Sequence, residues 1–165
     1  MSATNTPNQL VDRFGRTVSY VRLSVTDRCD LRCVYCMPEK MKFVPRTQLL
    51  TLEEMESVGR AFIKLGVDKI RITGGEPLVR QNIMQLFRNL GEIDGLRDLT
   101  LTTNATQLVK YARQLKDAGV TRINVSLDTL QPDRFRDMTR VGELKKTLDG
   151  IDAAIACDFE QIKIN

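Results

Sequence analysis

The sequence predicts an α/β fold organised on a parallel sheet, and three observations predict it. Apolar residues recur along the chain with a period that switches between two and three-to-four. The segments so defined alternate strictly and are joined by short connections, which implies parallel strands with right-handed crossovers. One connection, residues 29–50, breaks this economy. It leaves the carboxyl end of the first strand, where barrel and open α/β enzymes build their sites; loops of that length are usually functional or disordered, and the three cysteines it holds decide for function.

Residues 19–26 read as the first strand, with Val21, Leu23 and Val25 on one face and Arg22, Ser24 and Thr26 on the other. After the long loop, Thr51 is a helix N-cap and Glu54 completes a capping box, which starts a helix over 52–65. Residues 69–73 alternate Ile70 and Ile72 with Arg71 and Thr73. They run into the turn Gly74-Gly75-Glu76-Pro77, whose proline opens the next helical stretch at 80–90. The third strand, 98–103, sets Leu99 and Leu101 against Thr100 and Thr102, and a helix follows over 107–118. The fourth, 121–127, sets Ile123, Val125 and Leu127 against Asn124, Ser126 and Asp128. A helical stretch over 132–157, interrupted near Gly142, leads to a fifth strand at 162–165, where Ile162 and Ile164 oppose Lys163 and Asn165. Gly66, Gly91 and Gly119 fall where helices should stop. Residues 1–12 are read as a flexible arm and 13–165 as one domain, long enough to bury a sizeable core.

Both faces of a parallel βαβ sheet are normally covered, so its strands should be almost continuously apolar. These strands are not. If the helices cover the apolar face, the other face carries Arg22, Arg71 and Lys163 beside Thr102 and Ser126. Buried cations without carboxylate partners are costly unless an anion meets them, so a polar cavity for a phosphate-rich ligand is expected.

Cys29, Cys33 and Cys36 form a C-x3-C-x2-C run in the long loop. Three thiolates with no fourth suit a metal site that keeps one position open. Iron–sulfur clusters are held by cysteine thiolates, and a four-iron cube held by three leaves one iron free. Zinc or a redox dithiol is the competing reading, but structural zinc sites draw four ligands from Cys and His, and the chain has no histidine. The fourth cysteine, Cys157, stands in an apolar stretch and reads as a buried structural thiol.

Composition sets limits on partners. A formal charge of +4 without lysine-rich runs favours an anionic small molecule at least as much as nucleic acid, and few aromatics with no Trp advertise no base-stacking platform, so no nucleic-acid partner is expected. The first residues lack a signal pattern and no apolar run approaches membrane-spanning length, so the cytoplasm is expected, with no membrane partner.

The cysteine run with Tyr35 inside it, followed by Gly74-Gly75-Glu76-Pro77, resembles the radical S-adenosylmethionine superfamily. Within it, the strings Arg22-Leu-Ser-Val-Thr-Asp27, Cys36-Met-Pro-Glu39, Arg71-Ile-Thr-Gly-Gly-Glu-Pro77, Thr102-Thr-Asn104 and Asn124-Val-Ser-Leu-Asp128 resemble the GTP 3′,8-cyclase family of molybdenum cofactor biosynthesis. The resemblance runs from about Arg13 to Asn165. It implies an incomplete TIM-type βα barrel, here its first four βα units and fifth strand. It implies a 4Fe–4S cluster on Cys29, Cys33 and Cys36 that binds S-adenosylmethionine at its open iron. Reductive cleavage gives a 5′-deoxyadenosyl radical that abstracts the ribose C3′ hydrogen of GTP, and attack on guanine C8 closes (8S)-3′,8-cyclo-7,8-dihydroguanosine 5′-triphosphate. Tyr35, Gly74, Gly75, Glu76 and Ser126 are implied to contact S-adenosylmethionine, and Arg22, Arg71, Thr102 and Lys163 to contact GTP.

The resemblance also implies a reductant and the cyclic pyranopterin monophosphate synthase of the next step as functional partners, and it is compatible with a homodimer. Family members are longer, with a second cluster on C-terminal cysteines and a C-terminal Gly-Gly linked to activity. The chain is therefore expected to be an inactive N-terminal portion. Ala105 stands where the family usually has Gly, which would strain a turn needing positive φ. A radical enzyme acting on a peptide or tetrapyrrole, and a non-catalytic iron or zinc module, are the alternatives.

Overall fold

In the computed structural model, which describes residues 9–38 and 40–165, five strands pair side by side in chain order, and every ladder is parallel. They are β1 (Tyr20–Ser24), β2 (Lys69–Thr73), β3 (Asp98–Thr103), β4 (Val120–Val125) and β5 (Gln161–Ile164). The crossovers carry α1 (Leu52–Lys64), α2 (Ile83–Gly91), α3 (Leu108–Asp117), and the pair α4 (Pro132–Thr139) and α5 (Leu144–Ile155). The sheet stays open: β1 and β5 are its two edges.

The predicted periodicity decides which face is covered. Ile70, Ile72, Leu99, Leu101, Ile123 and Val125 are all buried in one apolar cluster with Met55, Phe87, Leu90, Leu108, Leu115 and Ile151 from the helices. Burying side chains of this size stabilises by about 1.5–3 kcal/mol each, so this layer dominates the fold's favourable energy. At the β5 edge the cover thins, and Ile164 is 52% exposed. Cys157 is a free, half-buried thiol packed against the same cluster.

Thr51 caps α1 as expected: its hydroxyl accepts from the Glu54 amide at 3.1 Å, while the Glu54 carboxylate accepts from the Thr51 amide at 2.8 Å. Gly66 and Gly119, at φ 92° and 83°, end α1 and α3. Gly91 also ends a helix, without a left-handed backbone. It is the last residue of α2, and a Cβ there would run into the Ala118 carbonyl at the end of α3, so glycine serves close helix packing. The stretch expected to be helical from residue 80 begins only at Ile83. Pro77–Val79 form a separate 3-10 turn capped by the Glu76 side chain, and Asn82 at φ 58° redirects the chain into α2. The interruption near Gly142 is real: Arg140 takes φ 63° and α5 starts at Leu144.

Of the expected N-terminal arm, residues 1–8 lie outside the described residues. Leu10 and Val11 are tied down: the Leu10 amide donates to the Leu65 carbonyl at 3.2 Å, and Val11 bridges Thr17.

Ala105 is buried with φ 67°, the left-handed conformation expected of a glycine position. Three magnitudes decide what this costs. Replacement by Gly relieves about 1–2 kcal/mol of left-handed strain. It forfeits about 0.4–1 kcal/mol through unfolded-state entropy and about 0.8 kcal/mol for the buried methyl. Ala105→Gly is thus expected to change stability by less than about 1 kcal/mol, read as a nearly unmoved urea midpoint.

Candidate functional site

The carboxyl end of β1 is stitched to the end of β2. The Val25 amide donates to the Thr73 carbonyl at 2.9 Å, Gly75 to Thr26 at 2.7 Å, and Glu76 to Arg28 at 2.8 Å. This approach requires both glycines: a Cβ on Gly74 would lie 2.5 Å from the Thr26 carbonyl oxygen, and one on Gly75 would strike the Arg28 carbonyl. The start of the cysteine loop and the Gly-Gly turn are therefore one backbone unit.

The loop itself is pinned on three sides. Residues 33–37 form a helical turn in which the Cys33 carbonyl accepts from Cys36 and Met37 at 3.1 and 3.0 Å, bringing Cys33 and Cys36 one turn apart. Arg32 and Val34 amides donate to the Thr139 and Met138 carbonyls at the end of α4, at 3.0 and 2.9 Å. The Tyr35 phenol donates to Asp128 beyond β4 at 2.8 Å. From above, the Phe43 ring lies under two guanidiniums, 5.3 Å from Arg28 and 5.7 Å from Arg32, while the Val44 amide donates to Asp27 at 2.6 Å.

Cys29 and Cys33 are half-buried and Cys36 is exposed; all are free thiols. Burial pushes the Cys29 thiol up to about 11 and raises Cys33 as well. Both are protonated at neutral pH in the metal-free chain, so metal loading must release protons and is favoured by alkaline conditions. Among the described residues no three Cys, His, Asp or Glu side chains converge closely enough to hold a single metal ion.

The uncovered face of the sheet carries the predicted cations, but they are not buried as expected. Arg22 and Lys163 are exposed and Arg71 is half-buried, because the sheet does not close over them. Arg22 pairs with Arg71 in register, and Arg71 with Thr100. One row nearer the cysteine loop, Thr102, Asn124 and Lys163 line up across β3, β4 and β5. Arg71 stacks on Tyr20 at 5.4 Å, and its buried Nε has no hydrogen-bond partner. Ser126 is exposed just past β4, its amide donating to Thr103 at 2.9 Å. Arg122 also faces this side and was missed, although the alternation that selected Asn124 selects it too; it pairs with Asp98 at 3.3 Å.

Glu76 is engaged inside the protein. It is 1% exposed, and its carboxylate accepts from the Leu78 amide at 3.1 Å, the Thr103 hydroxyl at 2.9 Å and the Asn104 amide at 2.7 Å. Its side chain ties the β2 turn to the end of β3. A second set of residues was also missed: Asp30 accepts from Asn104, Thr106 and Gln107 at 2.8, 2.6 and 3.1 Å. No spacing rule links residue 30 to residue 104, so only the fold reveals the contact.

Among the described residues no helix is long and apolar enough to cross a membrane. The chain is 58% identical over 156 residues to the GTP 3′,8-cyclase of Saccharophagus degradans, covering 94% of this chain and 47% of that protein. It is 60% identical over 155 residues to GTP 3′,8-cyclase 1 of Pseudomonas aeruginosa, again covering 94% and 47%. The chain thus spans about half the length of the curated relatives it matches. In fold it is similar to the FeFe-hydrogenase maturase HydG from Carboxydothermus hydrogenoformans, with a TM-score of 0.69 at 19% identity, covering 88% of this chain and 35% of that one. That likeness makes the open sheet part of a TIM-type barrel. The family model described as the radical SAM superfamily matches residues 23–165, from within β1 to the last residue, and so takes in the cysteine loop, the Gly-Gly turn and all five strands: the chain belongs to the radical SAM superfamily.

Proposed function

We propose that this chain supplies the cluster-binding and part of the nucleotide-binding half of a GTP 3′,8-cyclase, the radical lyase that its relatives are named for. The observation that carries the reading is the joining of the cysteine loop, through the Gly-Gly turn, to a sheet face bearing Arg22, Arg71 and Lys163. The donor set fits a 4Fe–4S cluster: three thiols on one pinned loop, with N–H groups of Leu31 and Asn104 directed at the Cys29 sulfur.

Cys29, Cys33 and Cys36 would hold that cluster. When bound, it supplies one-electron reductive cleavage of S-adenosylmethionine. The backbone of Gly74 and Gly75 offers polar groups to the methionyl end, Glu76 holds that turn in place, and Ser126 and Tyr35 line the approach; the bond from Tyr35 to Asp128 fixes the ring. Arg22, Arg71, Thr102 and Lys163 bind GTP, the two guanidiniums and the ammonium supplying charge to its phosphates. Residues 13–165 form the core domain of this reading. It carries with it a low-potential reductant, a second cluster on residues outside this chain, and the cyclic pyranopterin monophosphate synthase as consumer of the product. A reducing compartment such as the cytoplasm keeps the thiols free.

Anaerobic reconstitution with iron and sulfide tests the reading. The chain is expected to take up about four irons, more readily at alkaline than at neutral pH because Cys29 and Cys33 must lose protons. Cys33→Ser should lose most of that iron. Arg71→Ala should keep it and weaken GTP binding about tenfold, or ~1.4 kcal/mol. Stoichiometric zinc without iron would sink the cluster reading, and an unchanged GTP dissociation constant would remove Arg71 from the nucleotide site.

A further inference from the structure

The β3–α3 turn directs one side-chain N–H at one of the three cysteines. Asn104 Nδ2 lies 3.7 Å from Cys29 Sγ and 2.8 Å from Asp30 Oδ1. The Leu31 amide reaches the same sulfur at 3.4 Å. Cys29 thus receives two N–H donors, one from its own loop and one from across the sheet.

The orientation of the Asn104 amide is over-determined. Its Oδ1 accepts from the Thr106 amide at 3.0 Å and lies 2.8 Å from the Thr106 hydroxyl. A flipped amide would set Nδ2 against the Thr106 N–H and Oδ1 against the Asp30 carboxylate, donor on donor and acceptor on acceptor. The backbone is fixed as firmly: the Asn104 amide donates to Glu76 at 2.7 Å, and its carbonyl accepts from the Thr147 hydroxyl at 3.2 Å. Asp30 holds the other side, accepting from Asn104 Nδ2 at 2.8 Å, the Thr106 hydroxyl at 2.6 Å and Gln107 Nε2 at 3.1 Å. A side chain held at both ends and aimed at a sulfur is more than turn chemistry, which the bonds to Thr106 alone would satisfy.

Hydrogen bonds to a ligating sulfur withdraw charge from it and stabilise the reduced, more negative cluster, which raises the reduction potential. We infer that Asn104 is a positioning and potential-tuning residue for Cys29, resting on the cluster reading above. It fixes the position of the Cys29 sulfur and makes the one-electron reduction of the cluster easier. Asp30 acts through it, as the anchor that keeps Nδ2 pointed at the sulfur.

The test is the midpoint potential of the reconstituted chain, measured by electron paramagnetic resonance during a mediated redox titration, for wild type, Asn104→Asp and Asn104→Ser. Asn104→Asp keeps the shape, replaces the donor by a negative acceptor and should lower the potential most. Asn104→Ser removes the donor without adding charge and should lower it less. Iron and sulfide content, with far-UV circular dichroism, is measured on each sample. Wild type that binds no iron would overturn the cluster reading and this inference with it. Wild type and variants that bind equal iron at the same potential would overturn the inference alone. Loss of iron from both variants with the fold intact would also count against it, assigning Asn104 to ligand retention rather than tuning.

Discussion

Glu76→Ala is expected to destabilise the chain by about 3 kcal/mol or more at pH 5 and by clearly less at pH 8. The carboxylate partners the buried Leu78 amide, the part-buried Asn104 amide and the Thr103 hydroxyl. Leaving a buried donor unpaired costs about 1–3 kcal/mol, and the hydroxyl alone can turn to another partner. The pH dependence follows from burial, which pushes the Glu76 carboxyl up to about 7 against the pull of its hydrogen bonds. Because the folded-state value lies above the unfolded one, the folded chain binds the extra proton between about pH 4.5 and 7. Stability therefore falls as pH rises through that window and is flat above it. The alanine variant lacks this slope, so its deficit should shrink by about 2–3 kcal/mol between pH 5 and 8. Glu76→Gln separates charge from hydrogen bonding: it removes the slope but turns an NH2 toward either the Leu78 or the Asn104 amide, leaving one donor unpaired. Urea denaturation at both pH values measures all three proteins. A deficit of the same size at pH 5 and pH 8 would show that the group is ionised in both.

The strands and their two faces were legible because alternation reports one thing, which side of the sheet the helices cover, and Ile70, Ile72, Leu99, Leu101 and Ile123 answer it directly. The long loop and the Gly-Gly turn were legible as a site because both break local economy. Three things were not. Whether Arg22 and Lys163 are buried depends on closure of the sheet, a property of strand count and edge pairing that no single strand encodes. Gly91 reads like a helix stop, yet its contact is the Ala118 carbonyl of another helix, and close packing and left-handed backbone select the same residue. Glu76 has the chemistry of a ligand acceptor. Its use as an internal strut became visible only when Thr103 and Asn104 arrived from the next strand. Local pattern thus identified the elements and the loop. The contacts that rigidify the site, Asp30 to Asn104 and Glu76 to Thr103, are long-range, and no periodicity carries them.

Gly75→Ala should be strongly damaging. Its Cβ would sit 2.6 Å from the Arg28 carbonyl carbon and 2.9 Å from the Asp27 carbonyl oxygen, backbone atoms that cannot swing aside like the end of a flexible side chain. Relief requires the loop and the turn to part, and that separation stretches the bonds from Gly75 to Thr26 at 2.7 Å and from Glu76 to Arg28 at 2.8 Å. Overpacking of this kind costs about 1–3 kcal/mol, and the two hydrogen bonds add about 1 kcal/mol each, for a loss of about 3 kcal/mol or more. Gly15→Ala supplies the comparison: Gly15 has φ 78° with no atom within 4 Å of an added Cβ. It should cost only the conformational strain of about 1–2 kcal/mol. The two variants also differ in where the damage falls. Gly15 lies in the N-terminal hairpin, whereas parting Gly75 from Arg28 displaces the chain immediately before Cys29. Iron uptake should therefore fall in Gly75→Ala even at temperatures where its circular dichroism is native, and stay normal in Gly15→Ala. Equal stability losses and equal iron in the two proteins would mean that the loop and the turn move independently, and that the close approach at Gly75 does not hold the cysteines in place.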